Sequence, residues 1–464
     1  MRLLSEFIRS PYFNKNVNIL SFFQVIEKHH PSFPENKLEK EKVSQLVYGK
    51  GKYDDVRMRG LLSDTLELIE DFLAHQNMKK QGFSLDPFLL NELNSRNQDI
   101  LSNIRSKKME EVGSSIHDKY YFLNRYLISY EINNIKWKEN DSKKEKLIGE
   151  SSIEMELKKL NEFYAYEGMR YLNRMSIFKF VFVNPDEFAA QRERMLSICN
   201  ELVGSSKVFS YLKLFQEVAA MDNRSAFEEL KTKLLDHIDP CLSRNDIMVG
   251  LDLLLVYCYS QSSKGVQGVK EIHKASFEIL KKYAELGLDM ENGYIEEDQF
   301  SSLVIIAIKN QEFEWAKKYV LENDKNLLKE RRSDTVAYSL GNIAEVEGNL
   351  KEALFQLNQI MKPSLSQSLN IRTLLIKIYY KKGDMKQVLQ TCKSFNKFLS
   401  TNTKLSDFHK KVYGSLVNNT ILLAKLNLGS IKMDLPKWIE EMETKGEMII
   451  KGWVIRNAKE LLPK

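Results

Sequence analysis

The chain has 464 residues, 43% of them hydrophobic and 28% charged, and a formal net charge of +6. This composition excludes a disordered or fibrous polymer and supplies ample apolar material for a core. The basic excess is mild and spread out: residues 1–80 carry 13 Lys and Arg against 11 Asp and Glu, and residues 404–464 carry 11 against 7, neither of them a footprint for a polyanion.

Residues 1–80 read as a helical segment. Phe7-Ile8 and Ile19-Leu20 through Ile26 predict short amphipathic helices, and Pro31 to Asn36 a loop. Lys37–Tyr48 reads as a helix, Gly49-Lys50-Gly51-Lys52 as a turn, and Asp54–Ala74 as a strong helix with Met58, Leu61 and Leu62 on or near one face. A helical region, 81–204, follows. Asp86-Pro87 has the form of a helix start, and Asp118–Ile135 is an aromatic-rich helix. The polar run from Lys138 to Lys146 is expected to be a loop, Ser152–Val183 a helix, and Asn184-Pro185-Asp186 a break. No proline falls between Pro87 and Pro185 or between Pro240 and Pro363, and proline costs about 3 kcal/mol inside a helix, so these stretches favour helix.

Residues 205–403 read as helix hairpins. Turns are expected at Asp222 to Ser225, Ser262 to Gly265 and Lys309 to Glu312. Two copies of one pattern then follow. Leu340-Gly341, Ala344, Gly348-Asn349-Leu350, Ala353-Leu354 and Leu357 are matched by Leu375, Tyr379, Gly383-Asp384-Met385, Val388-Leu389 and Cys392. A glycine able to turn left-handed closes one helix, and Asn349 or Asp384 can accept from free amides at the start of the next. Ala353 and Val388 are compact where paired helices approach. Phe313 and Ala316 form a looser, earlier copy with no glycine at its turn. Residues 404–464 supply non-repeating helices, Leu405–Leu428 and Pro436–Leu462, expected to form an end cap.

On these residues the segment 300–400 resembles the tetratricopeptide repeats, whose unit is about 34 residues. The characteristic early tryptophan and the late proline at its expected place are absent, although Pro363 comes near. The start Phe7-Ile8-Arg9-Ser10-Pro11-Tyr12-Phe13-Asn14, the helix Val56–Ala74 and the tail around Lys451-Gly452-Trp453-Val454 resemble a family of uncharacterised helical proteins from Bacteroidota. That second likeness implies architecture and a bacterial cytoplasm, and no mechanism.

The expected fold is all-α: a right-handed solenoid of antiparallel hairpins with a helical N-terminal region and a C-terminal cap. In tetratricopeptide proteins, outward positions on the first helix of each hairpin hold the ligand. That resemblance places Tyr338, Asn342, Glu345, Thr373, Lys377 and Tyr380 in a groove for a protein or peptide. The expected function is therefore an interaction scaffold, not an enzyme. A second reading joins a winged-helix-like segment, 1–80, to the repeats as a transcription regulator. Against it, Asp64, Glu67, Glu70 and Asp71 would repel phosphate, so nucleic acid is disfavoured.

Chemistry-bearing motifs are weak. Gly49-Lys50-Gly51-Lys52 lacks the spacing of a phosphate loop and has no preceding strand. Asp236, His237 and Asp239 lie beside a helix end before Pro240, where such residues serve caps and solvent better than a metal. Tyr120, Tyr121, Tyr126 and Tyr130, with Lys119 and Arg125, could stack on unpaired bases, but aromatics at helical spacing are read as packing, as are Tyr164, Tyr166 and Tyr171. No cofactor or metal is expected. The four cysteines are widely spaced and read as buried thiols of a reducing compartment. Glu6 sits where a signal peptide needs an apolar run, and Val249–Tyr259 (broken by Asp252) and Leu303–Ile308 are far short of a membrane span. The expectation is a cytoplasmic protein with no membrane contact.

Overall fold

A computed structural model describes residues 1–80, 82–111, 114–143, 150–178, 189–263, 269–291, 293–444 and 448–462. The all-α expectation holds: among the described residues there are 22 α-helices and one two-stranded antiparallel pair. None of the helices is long and apolar enough to cross a membrane. The chain divides into two compact units, one of residues 1–172, 184–213 and 240–243, the other of 173–183, 214–239 and 244–464.

In the first unit, α1 (Arg2–Arg9), α2 (Val17–Glu27), α3 (Lys40–Tyr48) and α4 (Asp55–Lys80) enclose a core that includes Ile8, Phe22, Phe23, Val43, Met58 and Leu61. Buried Met58, Leu61, Thr65 and Leu68 recur at helical spacing along α4. That helix runs past Ala74 to Lys80 because no proline or glycine stops it. Next come α5 (Asp86–Ser95), α6 (Asp99–Glu111) and α7 (Lys119–Lys143). Proline stands in the first turn of α5, as expected. Asp118 Oδ1 starts α7 by accepting from the amides of Tyr120 and Tyr121. The fully buried Phe122 ring lies 5.1 Å from Tyr166 and 5.3 Å from Phe209, so this aromatic serves packing. The elements α8 (Glu150–Phe178), α9 (Ala189–Leu202) and α10 (Lys207–Ala219) follow, of which residues 173–178 of α8 and 214–219 of α10 are counted in the second unit.

The loop expected over Lys138–Lys146 is a correction. Residues 138–143 continue α7, because lysine and glutamate are strong helix formers and a charged run without glycine or proline is compatible with a solvated helix. Residues 144–149 and the break expected at Asn184-Pro185-Asp186 lie outside the described residues, as do residues 264 and 265 of the turn expected at Ser262 to Gly265.

The second unit contains α11 (Arg224–Leu235), α12 (Arg244–Ser263), α13 (Val269–Glu285), α14 (Glu297–Lys309), α15 (Phe313–Asn323), α16 (Lys329–Val346), α17 (Leu350–Asn358), α18 (Leu365–Lys381), α19 (Met385–Thr401) and α20 (Asp407–Asn427). Consecutive helices pack on one another, and α16 also packs beside both α14 and α18. The segment Pro436–Leu462, expected as one stretch, contains two helices, α21 (Leu435–Thr444) and α22 (Lys451–Glu460). A short strand pair, Met290–Glu291 with Tyr294–Ile295, was not anticipated. Its sequence signal is Asn292-Gly293, the strongest short hairpin dipeptide; Gly293 has φ +86°.

The two matched turns are alike atom by atom. Gly348 and Gly383 are left-handed, at φ +83° and +72°. Asn349 Oδ1 accepts from Glu352 N at 3.2 Å, and Asp384 Oδ1 from Gln387 N at 3.1 Å. Four residues past each cap, Ala353 and Val388 are fully buried. At the earlier copy Gln311 takes the same left-handed place, at φ +64°, and Ala316 is fully buried. The turn geometry is thus kept where the glycine is not.

Candidate functional site

Folding gives the six expected groove residues unequal roles. Tyr338, Glu345 and Thr373 are only 4%, 3% and 8% exposed, which corrects the expectation that they face outward. α16 is flanked by α14, α17 and α18, and Tyr338 belongs to a buried cluster with Ala353, Leu357, Leu374 and Ile378. Thr373 Oγ1 donates to Leu369 O at 3.0 Å within its own helix. Asn342 is half-buried, and its Nδ2 donates to Tyr338 O at 2.9 Å. Tyr380 meets Trp453 of α22 edge to face, with ring centroids 5.3 Å apart, so the tail covers part of this position.

Lys377 and Glu345 do come together. Lys377 Nζ donates to Glu345 Oε2 at 2.9 Å, and Lys381 Nζ to Oε1 at 3.0 Å. Burial pushes the Glu345 carboxyl up, but the Lys377 charge and the hydrogen bonds from both lysines hold it below the ordinary glutamate value. This is a satisfied internal ion cluster. Of the six, Asn342, Lys377 and the exposed part of Tyr380 remain on the surface of the first helices.

A second arrangement was not foreseen. A cleft of about 290 Å3 lies among α12, α13, α14 and α15. Its polar groups are Asp252 on α12, Tyr283 on α13, Asp289 just after α13, Asp298, Gln299 and Ser302 on α14, and Tyr319 on α15. Leu255, Leu280, Ala284 and Leu303 make its apolar wall. Burial raises the Asp252 carboxyl to about 6, although the Tyr283 hydroxyl donates to it. Burial likewise raises Asp289, against hydrogen bonding that favours its charged form. The nearby Arg244 spends its guanidinium on the carbonyls of Leu286, at 3.2 Å, and Gly287. The Tyr319 side chain is 6% exposed, and its hydroxyl donates to Asp289 over a longer distance than an ordinary hydrogen bond. Burial first, and then the facing Asp289 carboxylate, push its pKa up. The one sequence signal is Asp252, a charge interrupting the otherwise apolar stretch Val249–Tyr259.

The remaining motifs keep modest roles. Gly49 to Lys52 is irregular chain directly after α3, not after a strand. Asp236, His237 and Asp239 follow α11, and no group of residues suited to holding a metal occurs among the described residues. Asp64, Glu67, Glu70 and Asp71 are exposed on α4, where they would face any phosphate brought to that helix. Two Ser–His contacts, Ser206 Oγ with His117 Nδ1 and Ser406 Oγ with His409 Nδ1, are both 2.7 Å long. Each serine oxygen also accepts an amide at a helix start, from Val208 or His409, so capping accounts for both. Comparison with family models, with curated proteins and with solved structures found no match to this chain.

Proposed function

We propose that the second unit is a tetratricopeptide-like α-solenoid and that the protein is an interaction scaffold, binding a protein or peptide along the first helices of its hairpins. The observation that carries this reading is the repeated turn: a left-handed residue at 311, 348 and 383, followed in each case by a buried small residue at 316, 353 and 388. Helices α14, α16 and α18 lie side by side, as the first helices of stacked hairpins do. One hairpin cannot bury its own apolar face, so the same unit is reused, and the exposed side of the first helices becomes a continuous surface.

The test uses the intact chain as bait in native lysate and two substitutions, one at half-buried Asn342 and one at exposed Phe355. Asn342→Arg projects a bulky charge from α16, and Phe355→Asp alters the exposed face of α17. Loss of the captured partner with the first and retention with the second supports binding along the first helices. The opposite pattern moves binding to the second helices and refutes the assignment. X-ray scattering tests the architecture separately, because a compact sphere is incompatible with a solenoid.

A further inference from the structure

We infer that the first unit binds a second copy of this chain, the exposed face of α4 in one copy lying against the exposed face of α6 in the other. The inference does not depend on the scaffold reading, which concerns the second unit. Its first support is that α6 packs inside out. The buried side of this helix is Ser102, Ser106 and Met109, whereas Ile100 and Ile104 are 78% and 60% exposed and Leu101 is exposed beside them. The hydrophobic effect favours burying isoleucine over serine, so an outward isoleucine pair at one-turn spacing marks a face that another surface covers. Helix α4 carries a second strip of this kind. Met58, Leu61 and Leu68 occupy its core side, yet Leu62, Leu66 and Leu73 recur along an adjoining side and are all exposed.

The charges identify the occupant. The strip on α4 is bordered by Asp64, Glu67, Glu70 and Asp71, all exposed. Lys15 shares a groove with Asp64, Glu67 and Asp71, yet none of the four acids closes an ion pair among the described residues. The strip on α6 is followed by Arg105, Lys107 and Lys108, which are exposed and equally without an ion pair among the described residues. The acids of this helix, Asp99, Glu110 and Glu111, stand at its two ends. An acid-bordered apolar strip and a base-bordered one are complementary, whereas α4 against α4 would set acid on acid. Both strips are exposed, so they do not cover one another within one chain. An anionic bilayer would attract α6 and repel α4, and so would leave the α4 strip uncovered. A second copy accounts for both faces.

Sedimentation equilibrium of the full chain tests the inference. The average mass of the wild type should rise above the monomer mass with protein concentration. Its association should weaken by about tenfold as salt goes from about 0.05 M to about 0.5 M, because exposed charges are screened. That readout needs no variant to fold. Charge reversal then tests the pairing of faces. Glu67→Lys with Glu70→Lys and Asp71→Lys makes α4 basic, so both faces of that variant are basic. Arg105→Glu with Lys107→Glu and Lys108→Glu makes α6 acidic, so both faces of the other variant are acidic. All six positions are exposed, and melting curves check that the variants fold. Each triple variant alone should associate at least about tenfold more weakly than wild type. An equimolar mixture of the two should recover the association, because every α4 then meets an α6 of opposite charge. A wild type that stays at the monomer mass at every concentration, an association unchanged or strengthened by salt, or no recovery on mixing would overturn the inference. A monomeric wild type that sediments with vesicles of phosphatidylcholine and phosphatidylserine would overturn it as well, and would assign α6 to an anionic bilayer.

Discussion

Glu345 and Asp252 are both carboxylates drawn into helix packing, and the fold treats them in opposite ways. Glu345 is sunk on α16 and met by two lysines, one helix away, that hold it ionised. Asp252 is sunk on α12, receives a tyrosine hydroxyl, and is pushed up to about 6 because no cation compensates its burial. The contrast separates an acid that serves the architecture from one whose environment is incomplete. A buried charge is costly unless an opposite charge meets it, and Asp252 has only a neutral hydroxyl as its partner.

Stranding Glu345 should have the largest consequence. Lys377→Ala with Lys381→Ala leaves a buried carboxylate uncompensated and should cost about 3–5 kcal/mol at pH 7 in urea denaturation. Because the folded Glu345 value lies below the ordinary 4.5, its stabilising contribution is present above that pH and is lost as pH falls. The gap between wild type and double variant should therefore narrow from pH 7 towards pH 4. A gap independent of pH would mean that the lysines contribute packing and not charge.

Asp252→Asn should act with the reverse sign. The folded acid titrates near 6 against an ordinary 3.8, so the wild type loses stability as pH rises through that interval. The variant does not, and between pH 4 and 8 it should gain on wild type by up to about 3 kcal/mol, at about 1.4 kcal/mol per tenfold in protonation. An unchanged difference would return Asp252 to the class of Glu345.

The two cleft tyrosines sharpen the contrast further. Tyr283→Phe removes the donor to Asp252 and should cost about 1.5–3 kcal/mol, whereas Tyr319→Phe removes a longer contact with Asp289 and should cost less than about 1 kcal/mol. Equal losses in the two melting curves would show that Tyr319 already has a partner as good as that of Tyr283. The smallest effects concern the frame that seats Glu345. Gln311→Gly should gain up to about 1 kcal/mol by relieving a left-handed side chain, and Gly348→Ala should lose a similar amount, since a Cβ there meets only open space and backbone strain decides.

Much of the frame was legible because local chemistry dictates it. Gly348-Asn349 and Gly383-Asp384 announce a left-handed stop and a capped restart, and both occur as read. Gln311 shows why the earlier copy read poorly: tertiary packing holds a residue in a conformation that its type does not advertise. The charged run through Lys143 is helical because lysine and glutamate propagate helix well, so polarity alone does not mark irregular chain. The candidate groove was only half legible. Sequence spacing put Tyr380 on the right helix, yet only packing reveals that Trp453, 73 residues later, lies against it. The cleft was nearly invisible for the same reason: Asp252, Asp289 and Tyr319 are brought together by two helices and a turn, and no single window contains them.

All four cysteines are buried, and none forms a disulfide. Burial pushes the thiols of Cys199 and Cys258 up to about 11 and that of Cys392 to about 12. A thiol kept protonated and shielded reacts with an alkylating reagent only when its surroundings open. Cys199 and Cys241 belong to one compact unit and Cys258 and Cys392 to the other, so the chain carries native clocks for local breathing in each half, readable by mass spectrometry with no engineered label.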